Sequence, residues 1–234
     1  KSKYACLLTE KLGSTFPKLE ALKNEKLNDF LGEYIELCNP ASVHFCDDSA
    51  EDAAYIRQKS LDRGEEKTLA RPTQTIHFDG YSDQGREAKN TRFLVPPEKM
   101  PVMKAFNSID RETGLAEIKG IAKGIMTGRE AIVKVYCEGP AFGPFTKACV
   151  QFTDSYYVTH SENILYRGGY GHFKKMKDKD DFYGFVHSAG QLDANMNCVN
   201  LDKRRVDMDM EKNIVYSMNA QYAGNSVGLK KHSM

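Results

Sequence analysis

The stretch Arg204-Arg-Val-Asp-Met-Asp-Met-Glu-Lys-Asn-Ile-Val-Tyr-Ser-Met218 decides the fold class. Apolar and polar residues alternate along its first arm. Ile214–Met218 forms a second strand-like run, and Glu211-Lys-Asn213 sits between the two. This pattern predicts a β-hairpin. The hairpin runs directly into Asn219-Ala-Gln-Tyr222-Ala-Gly224-Asn225-Ser-Val-Gly228-Leu-Lys230-Lys231. Glycine lets backbone N–H groups approach a ligand because no Cβ blocks the way. Adjacent lysines repel each other, which favours loss of one proton or an anionic partner. Two readings fit this stretch alone: an anion site, and a strand-to-helix connection with solvated lysines.

Working outward, helical and strand signals alternate along the chain. Ser14 or Thr15 with Pro17 opens a helix, and apolar residues recur at helical spacing from Leu19 through Cys38, where Asn39-Pro40 stops it. Ser42–Cys46 reads as a short buried strand. A second helix is predicted over Ala50 to Arg63, capped by Ser49 and terminated by Gly64. Residues 65–87 read as a long polar loop, a length often tied to function. Thr91–Val95, Ala131–Cys137 and Phe145–Phe152 read as strands. Thr113–Met126 reads as an amphipathic helix weakened by glycines. Asp154–Tyr166 fits either helix or strand, and Phe182–Ser188 is predicted helical. Such interleaving predicts a mixed α/β domain, here one domain over residues 1–234.

Composition narrows the function classes. The chain has 234 residues, 41% hydrophobic and 28% charged, with a formal net charge of +1. No broad nucleic-acid or membrane-surface binding follows from that charge. No apolar run approaches the roughly 20 residues of a membrane span. The six cysteines are scattered without Cys-x-x-Cys spacing, which predicts reduced thiols and a cytoplasmic setting. The chain opens on Lys1 rather than Met and stops at Met234, where a helix would be starting. The expectation is a piece of a longer protein.

Common catalytic signatures are missing. There is no His-Glu-x-x-His pair, no Gly-x-Ser-x-Gly elbow and no Gly-x-x-x-x-Gly-Lys-Ser/Thr phosphate loop. Gly168-Gly-Tyr-Gly171 is better read as a turn. Arg167, Lys174 and Lys175 beside Tyr170 fit single-stranded nucleic acid only weakly, because Asp178, Asp180 and Asp181 lie close by in sequence. Arg86, at the end of the polar loop, carries a planar fork suited to a carboxylate; a surface arginine is the alternative.

Taken in order, these stretches resemble GTP-dependent phosphoenolpyruvate carboxykinase. Val43-His44-Phe-Cys46-Asp47-Asp48-Ser49 resembles the family's His-Ile-Cys-Asp-Gly-Ser. Gln84-Gly85-Arg86-Glu87 is placed like its substrate arginine. Gly143-Pro-Phe-Thr-Lys147, Phe152-Thr153-Asp154-Ser155-Tyr-Tyr-Val158 and Val186-His187-Ser188-Ala-Gly190 resemble further family motifs. Tyr222 to Lys231 resembles Tyr-Gly-Gly-Asn-Ser-Leu-Leu-Gly-Lys-Lys, the most specific of the set. The resemblance covers most of the chain from about Val43 onward.

The resemblance implies the amino-terminal lobe of that enzyme, with a mixed β-sheet and flanking helices. It implies binding of oxaloacetate, phosphoenolpyruvate and CO2, and packing against the enzyme's own carboxy-terminal lobe. Arg86, Gly224, Asn225 and Lys230 would bind substrate, with Arg86, Tyr222 and Lys230 serving catalysis. Lys231 would be a manganese ligand as a neutral amine. Mn2+, Mg2+ with the phosphoryl donor, and GTP/GDP are implied cofactors. Ala223 in place of glycine and the order Gly228-Leu229 depart from the pattern, and leave pyrophosphate/phosphate open as the donor pair. The family's phosphate loop, metal-binding histidine and aspartate, and guanine pocket would lie beyond Met234. The competing expectation is a non-catalytic anion-binding or assembly domain that kept the fold.

Overall fold

The computed structural model describes residues 3–71, 73–78, 89–177 and 180–221. Its helices are α1 (Ala5–Leu12), α2 (Phe16–Glu20), α3 (Glu25–Cys38), α4 (Ala50–Asp62), α5 (Arg111–Ala122), α6 (Tyr156–Leu165) and α7 (Tyr170–Phe173). Its strands are β1 (Ser42–Cys46), β2 (Lys67–Thr68), β3 (Thr75–Ile76), β4 (Thr91–Val95), β5 (Ser108–Asp110), β6 (Glu130–Glu138), β7 (Lys147–Thr153), β8 (Arg167–Gly168), β9 (Tyr183–Ser188), β10 (Arg205–Asp209) and β11 (Ile214–Met218). Among the described residues a nine-stranded sheet runs β1-β6-β7-β9-β11-β10-β4-β5, with β8 on β6, and β2-β3 form a separate pair. The sheet is mixed: β7, β9 and β11 run parallel to one another and opposite to the rest of that path. The α/β expectation with flanking helices holds.

Four local expectations need correction, the first being the loop read over residues 65–87, which holds the antiparallel pair of β2 and β3. Phe182–Ser188 is not a helix but β9, in the middle of the sheet between β7 and β11. A central strand covered on both faces loses the polar half of its alternation, so period alone cannot separate it from a buried helix. Gly184 is also required there: a Cβ at that position would lie 2.5 Å from the Phe30 ring. The helix expected to run unbroken to Cys38 is divided. Lys23 takes a left-handed φ of 50°, and Asn24 starts α3 afresh by accepting the Leu27 N–H at 3.0 Å. Finally, α5 stops at Ala122 rather than Met126, where Gly124 adopts φ 67°.

The sheet divides the core into two layers. On one face Leu27, Leu31, Tyr34 and Ile35 of α3 and Ile118 of α5 pack against Val133, Val150, Phe152 and Val186. On the other face Phe93, Phe185, Met208 and Val215 form a second cluster, flanked by Met100 and Met103. The Val-Asp-Met-Asp pattern of β10 follows from this division. Val206 and Met208 face the second cluster. Asp207 and Asp209 turn toward α5, where Arg92 and Arg111 each grip one carboxylate through two hydrogen bonds of 2.7–2.9 Å. Such paired contacts satisfy both carboxylate oxygens.

Candidate functional site at one end of the sheet

Strand direction brings the Thr153-Asp-Ser155 and His187-Ser188 motifs to one end of the sheet, while residues 47–49 and 143–147 flank the opposite ends of β1 and β7. At the end holding Thr153 and His187, the carboxy ends of β7, β9 and β11 meet the amino ends of β1, β4, β6 and β10. The register then defines one row across seven strands: His44, Ile132, Thr153, His187, Ser217, Val206 and Thr91. Residues paired in register point to the same face. The row therefore lays hydroxyl and imidazole side chains along one rim of that face, with buried Lys134 and Gln151 in the next row.

Within the row, His187 is fully buried. One ring nitrogen, Nε2, lies 2.7 Å from the Ala220 carbonyl, which only accepts, so Nε2 carries the proton. In the neutral ring Nδ1 then accepts, and the Thr153 hydroxyl at 2.6 Å donates to it. The same hydroxyl accepts the Ser155 N–H at 3.0 Å. The oriented imidazole thus ties the exit of β11 to the exit of β7.

Asp154 forms a second knot. Its side chain is completely buried and pairs with Arg129 at 2.9 Å. It accepts the Ser188 hydroxyl at 2.6 Å and the Ala189 N–H at 3.0 Å. Arg129 also donates to the Gly190 carbonyl at 2.7 Å and to the Ile125 carbonyl. Beside this knot is a cleft of about 1010 Å³ whose lining includes Arg63, Lys123, Arg129 and Lys203 together with Gly190 and Asn219.

Two buried glutamates fasten the start of the polar loop to α6. Glu65 accepts from the Ser155 hydroxyl at 3.0 Å and the Tyr157 N–H at 2.7 Å. Burial pushes its carboxyl up from the ordinary value, and these hydrogen bonds offset only part of the effect. Glu66 accepts from Thr75 at 2.7 Å and from the Ser60 hydroxyl, with His160 Nδ1 at 2.8 Å. Burial would raise Glu66 too, but His160, Ser60 and Thr75 outweigh it and hold the carboxyl at about 2. His77 stacks on Tyr157 with centroids 3.6 Å apart.

The sequence-derived site residues Arg86, Tyr222, Gly224, Asn225, Lys230 and Lys231 lie outside the described residues. Their nearest described neighbours in the chain, Lys89 and Gln221, belong to the entry of β4 and the exit of β11, at the same end of the sheet. The Thr153-Asp-Ser155 and His187-Ser188 motifs come together there. Glu65, Glu66 and Arg129 were not singled out by the sequence: each sits beside another charged residue just after a glycine turn, and nothing local marks it as buried. Among the described residues, one group offers three metal-type donors within 4.8 Å of one another: His44, Cys46 and Asp52. No helix among them is long and apolar enough to cross a membrane.

Comparison with known proteins adds an independent observation. The family model described as "Phosphoenolpyruvate carboxykinase N-terminal domain" matches residues 29–234. A protein of Thermococcus sibiricus named "Phosphoenolpyruvate carboxykinase [GTP]" is 50% identical over 216 residues, which is 92% of this chain and 34% of that protein. A protein of the same name from Pyrococcus abyssi is 48% identical over 92% of this chain and 35% of its own length. One from Corynebacterium jeikeium, again of the same name, is 28% identical over 89% of this chain and 36% of its own length. The chain therefore spans about a third of the curated relatives it matches.

Proposed function

The chain belongs to the phosphoenolpyruvate carboxykinase family, as its amino-terminal domain, and we propose that residues 1–234 form one domain that binds oxaloacetate and phosphoenolpyruvate. The observation that carries this reading is the shared sheet end. The chain enters β4 shortly after Arg86 and leaves β11 just before Tyr222, and both events fall on the same end. Two segments far apart in sequence are thereby rooted close together, as a shared substrate would require. The relatives cited are all named for GTP, which supports GTP rather than pyrophosphate as the phosphoryl donor of the whole enzyme.

The roles follow from the chemistry of the groups. The reaction proposed is reversible: oxaloacetate loses CO2, and the resulting enolate takes a phosphoryl group. Arg86 would grip a substrate carboxylate through two parallel N–H bonds and so fix its orientation. Tyr222 would set its ring edge against the carboxylate of phosphoenolpyruvate. Gly224 would let the backbone come close, with Asn225 adding a polar contact. Lys230 would offset charge on the substrate and on the phosphoryl group in transfer. Lys231 would hold Mn2+, and only as a neutral amine, since an ammonium has no lone pair. A divalent cation supplies charge stabilisation for the enolate and the transferring group. GTP, its Mg2+ and the remaining ligands would come from the carboxy-terminal lobe. A cytoplasmic location is part of the same reading.

The test is kinetic. In the full-length enzyme, Lys231→Ala is expected to abolish Mn2+-dependent formation of phosphoenolpyruvate, and Arg86→Gln to raise KM for oxaloacetate. Wild-type turnover in Lys231→Ala would overturn the assignment of Lys231, and absence of turnover in the unsubstituted full-length enzyme would leave a binding domain that has lost its chemistry.

A further inference from the structure

We propose that His44, Cys46 and Asp52 form a binding site for a thiophilic divalent cation such as Zn2+, separate from the lysine pair at the end of the chain. His44 and Cys46 are alternate residues of β1 and so point to the same face of the sheet. Asp52 lies in the first turn of α4, which follows β1 after a short turn capped by Ser49. This strand-turn-helix unit brings one nitrogen, one sulfur and one oxygen donor within 4.8 Å of one another. Tetrahedral Zn2+ with bonds of about 2.0–2.3 Å needs donors about 3.5 Å apart. The three donors would have to close by up to about 1.3 Å to reach that spacing.

Neighbouring groups already orient the donors. The Asp52 carboxylate has divided duties. Its Oδ2 takes the Lys18 ammonium at 2.7 Å and the Asp47 N–H at 2.7 Å. Its Oδ1 faces His44 Nε2 at 2.9 Å. One oxygen is anchored and the other is turned toward the histidine and the thiol. The His44 ring stacks on Tyr55 with centroids 4.3 Å apart and planes 18° from parallel, and the Tyr55 hydroxyl is held by Glu130 at 2.7 Å. Fixing a ligand from behind is what outer contacts do in metal centres.

Charge decides whether a cation is tolerated beside Lys18. The pocket holds the carboxylates of Asp47, Asp48 and Asp52 against two ammonium groups, since Lys18 lies 3.4 Å from Asp47 and 2.7 Å from Asp52, and Lys134, beside Cys46, lies 2.6 Å from Asp48. Binding a divalent cation releases the Cys46 thiol proton to solvent and creates a thiolate. Three carboxylates and one thiolate then balance Lys18, Lys134 and the cation, so the occupied pocket is neutral. Binding also replaces the His44–Asp52 hydrogen bond by one bond from each residue to the metal, with the ring proton moving to Nδ1. The fourth position falls to water, because the His44 side chain keeps 15% of its surface exposed. A hard cation such as Mg2+ would gain little from sulfur and nitrogen donors.

The experiment is titration of the 234-residue chain with Co2+ and with Cd2+. A site of this kind gives one equivalent bound, tetrahedral Co2+ bands in the visible, a thiolate-to-metal charge-transfer band, and release of protons. Cys6, the exposed cysteine, supplies the control: Cys6→Ser keeps the band, while Cys46→Ser or His44→Gln weakens Zn2+ binding at least about 100-fold. Should Cys46→Ser fail to fold, 113Cd NMR of the Cys6→Ser chain reads sulfur ligation directly. No charge-transfer band, or one that persists in Cys46→Ser, overturns the proposal.

Discussion

Removing the carboxylate at the Asp154 knot is expected to cost more than removing its arginine partner. Asp154→Ala deletes the acceptor for the Ser188 hydroxyl at 2.6 Å, for the Ala189 N–H at 3.0 Å and for Arg129 at 2.9 Å. Each orphaned neutral donor costs about 1–3 kcal/mol. Breaking a buried pair from one side costs about 3–5 kcal/mol. Arg129 retains 20% of its side-chain surface, so water rescues part of its charge and the lower half of the range applies, about 3–4 kcal/mol. In a chain of this size that lowers Tm by roughly 6–16 °C. Arg129→Met alone leaves Asp154 two of its three partners and is expected to cost less. The double variant should be milder than the sum of the singles, with a coupling of at least ~1 kcal/mol. The assay is urea unfolding followed by circular dichroism, since the chain has no tryptophan. Additive costs, or a loss below about 1 kcal/mol for Asp154→Ala, would refute the view of this knot as a cooperative unit.

Two further outcomes rest on single side chains. Glu66 has its carboxyl lowered from the ordinary 4.5 to about 2, so its contribution to stability is present above pH 4.5 and is lost as pH falls toward 2. Against Glu66→Gln, wild-type stability should therefore drop more steeply across that window, and parallel pH profiles would contradict the hydrogen-bonded anion. The carboxyl of Glu65 is shifted the other way, so its contribution is present below pH 4.5 and is lost as pH rises through its folded-state value. For His187, 15N NMR is expected to show the neutral ring protonated at Nε2. Thr153→Val removes the donor to Nδ1 and should cost about 1–2 kcal/mol; a ring protonated at Nδ1 in the wild type would invert the assigned hydrogen bonds.

Much of the fold was legible because its signals are local. The hairpin of β10 and β11 alternates cleanly, and Ser49, Gly64 and Asn39 punctuate helices through their own backbone preferences. Phe182–Ser188 failed because burial on both faces erases alternation. The divided first helix failed because Asn24 acts as a cap only once Lys23 has left helical geometry. The motifs around Thr153 and His187 were visible as strings, but their meeting depends on strand order and direction, which no local pattern encodes. Glu65, Glu66 and Arg129 were invisible for a similar reason. A charged residue in a polar turn reads as solvated until a distant element closes over it.

The pairing of β4 and β11 with the same strand, β10, sets a mechanical standard for the proposed enzyme. Interstrand spacing is fixed by backbone hydrogen bonds at about 4.8 Å, so the roots of the two segments proposed to bind substrate stand about 10 Å apart. That length does not depend on which side chains fill the core. Relatives with 50% and 28% identity to this chain can therefore exchange many core residues and keep one gauge. Selection on substrate size would act through the loops hung from these strands, while the gauge itself would change only if a strand were inserted or lost.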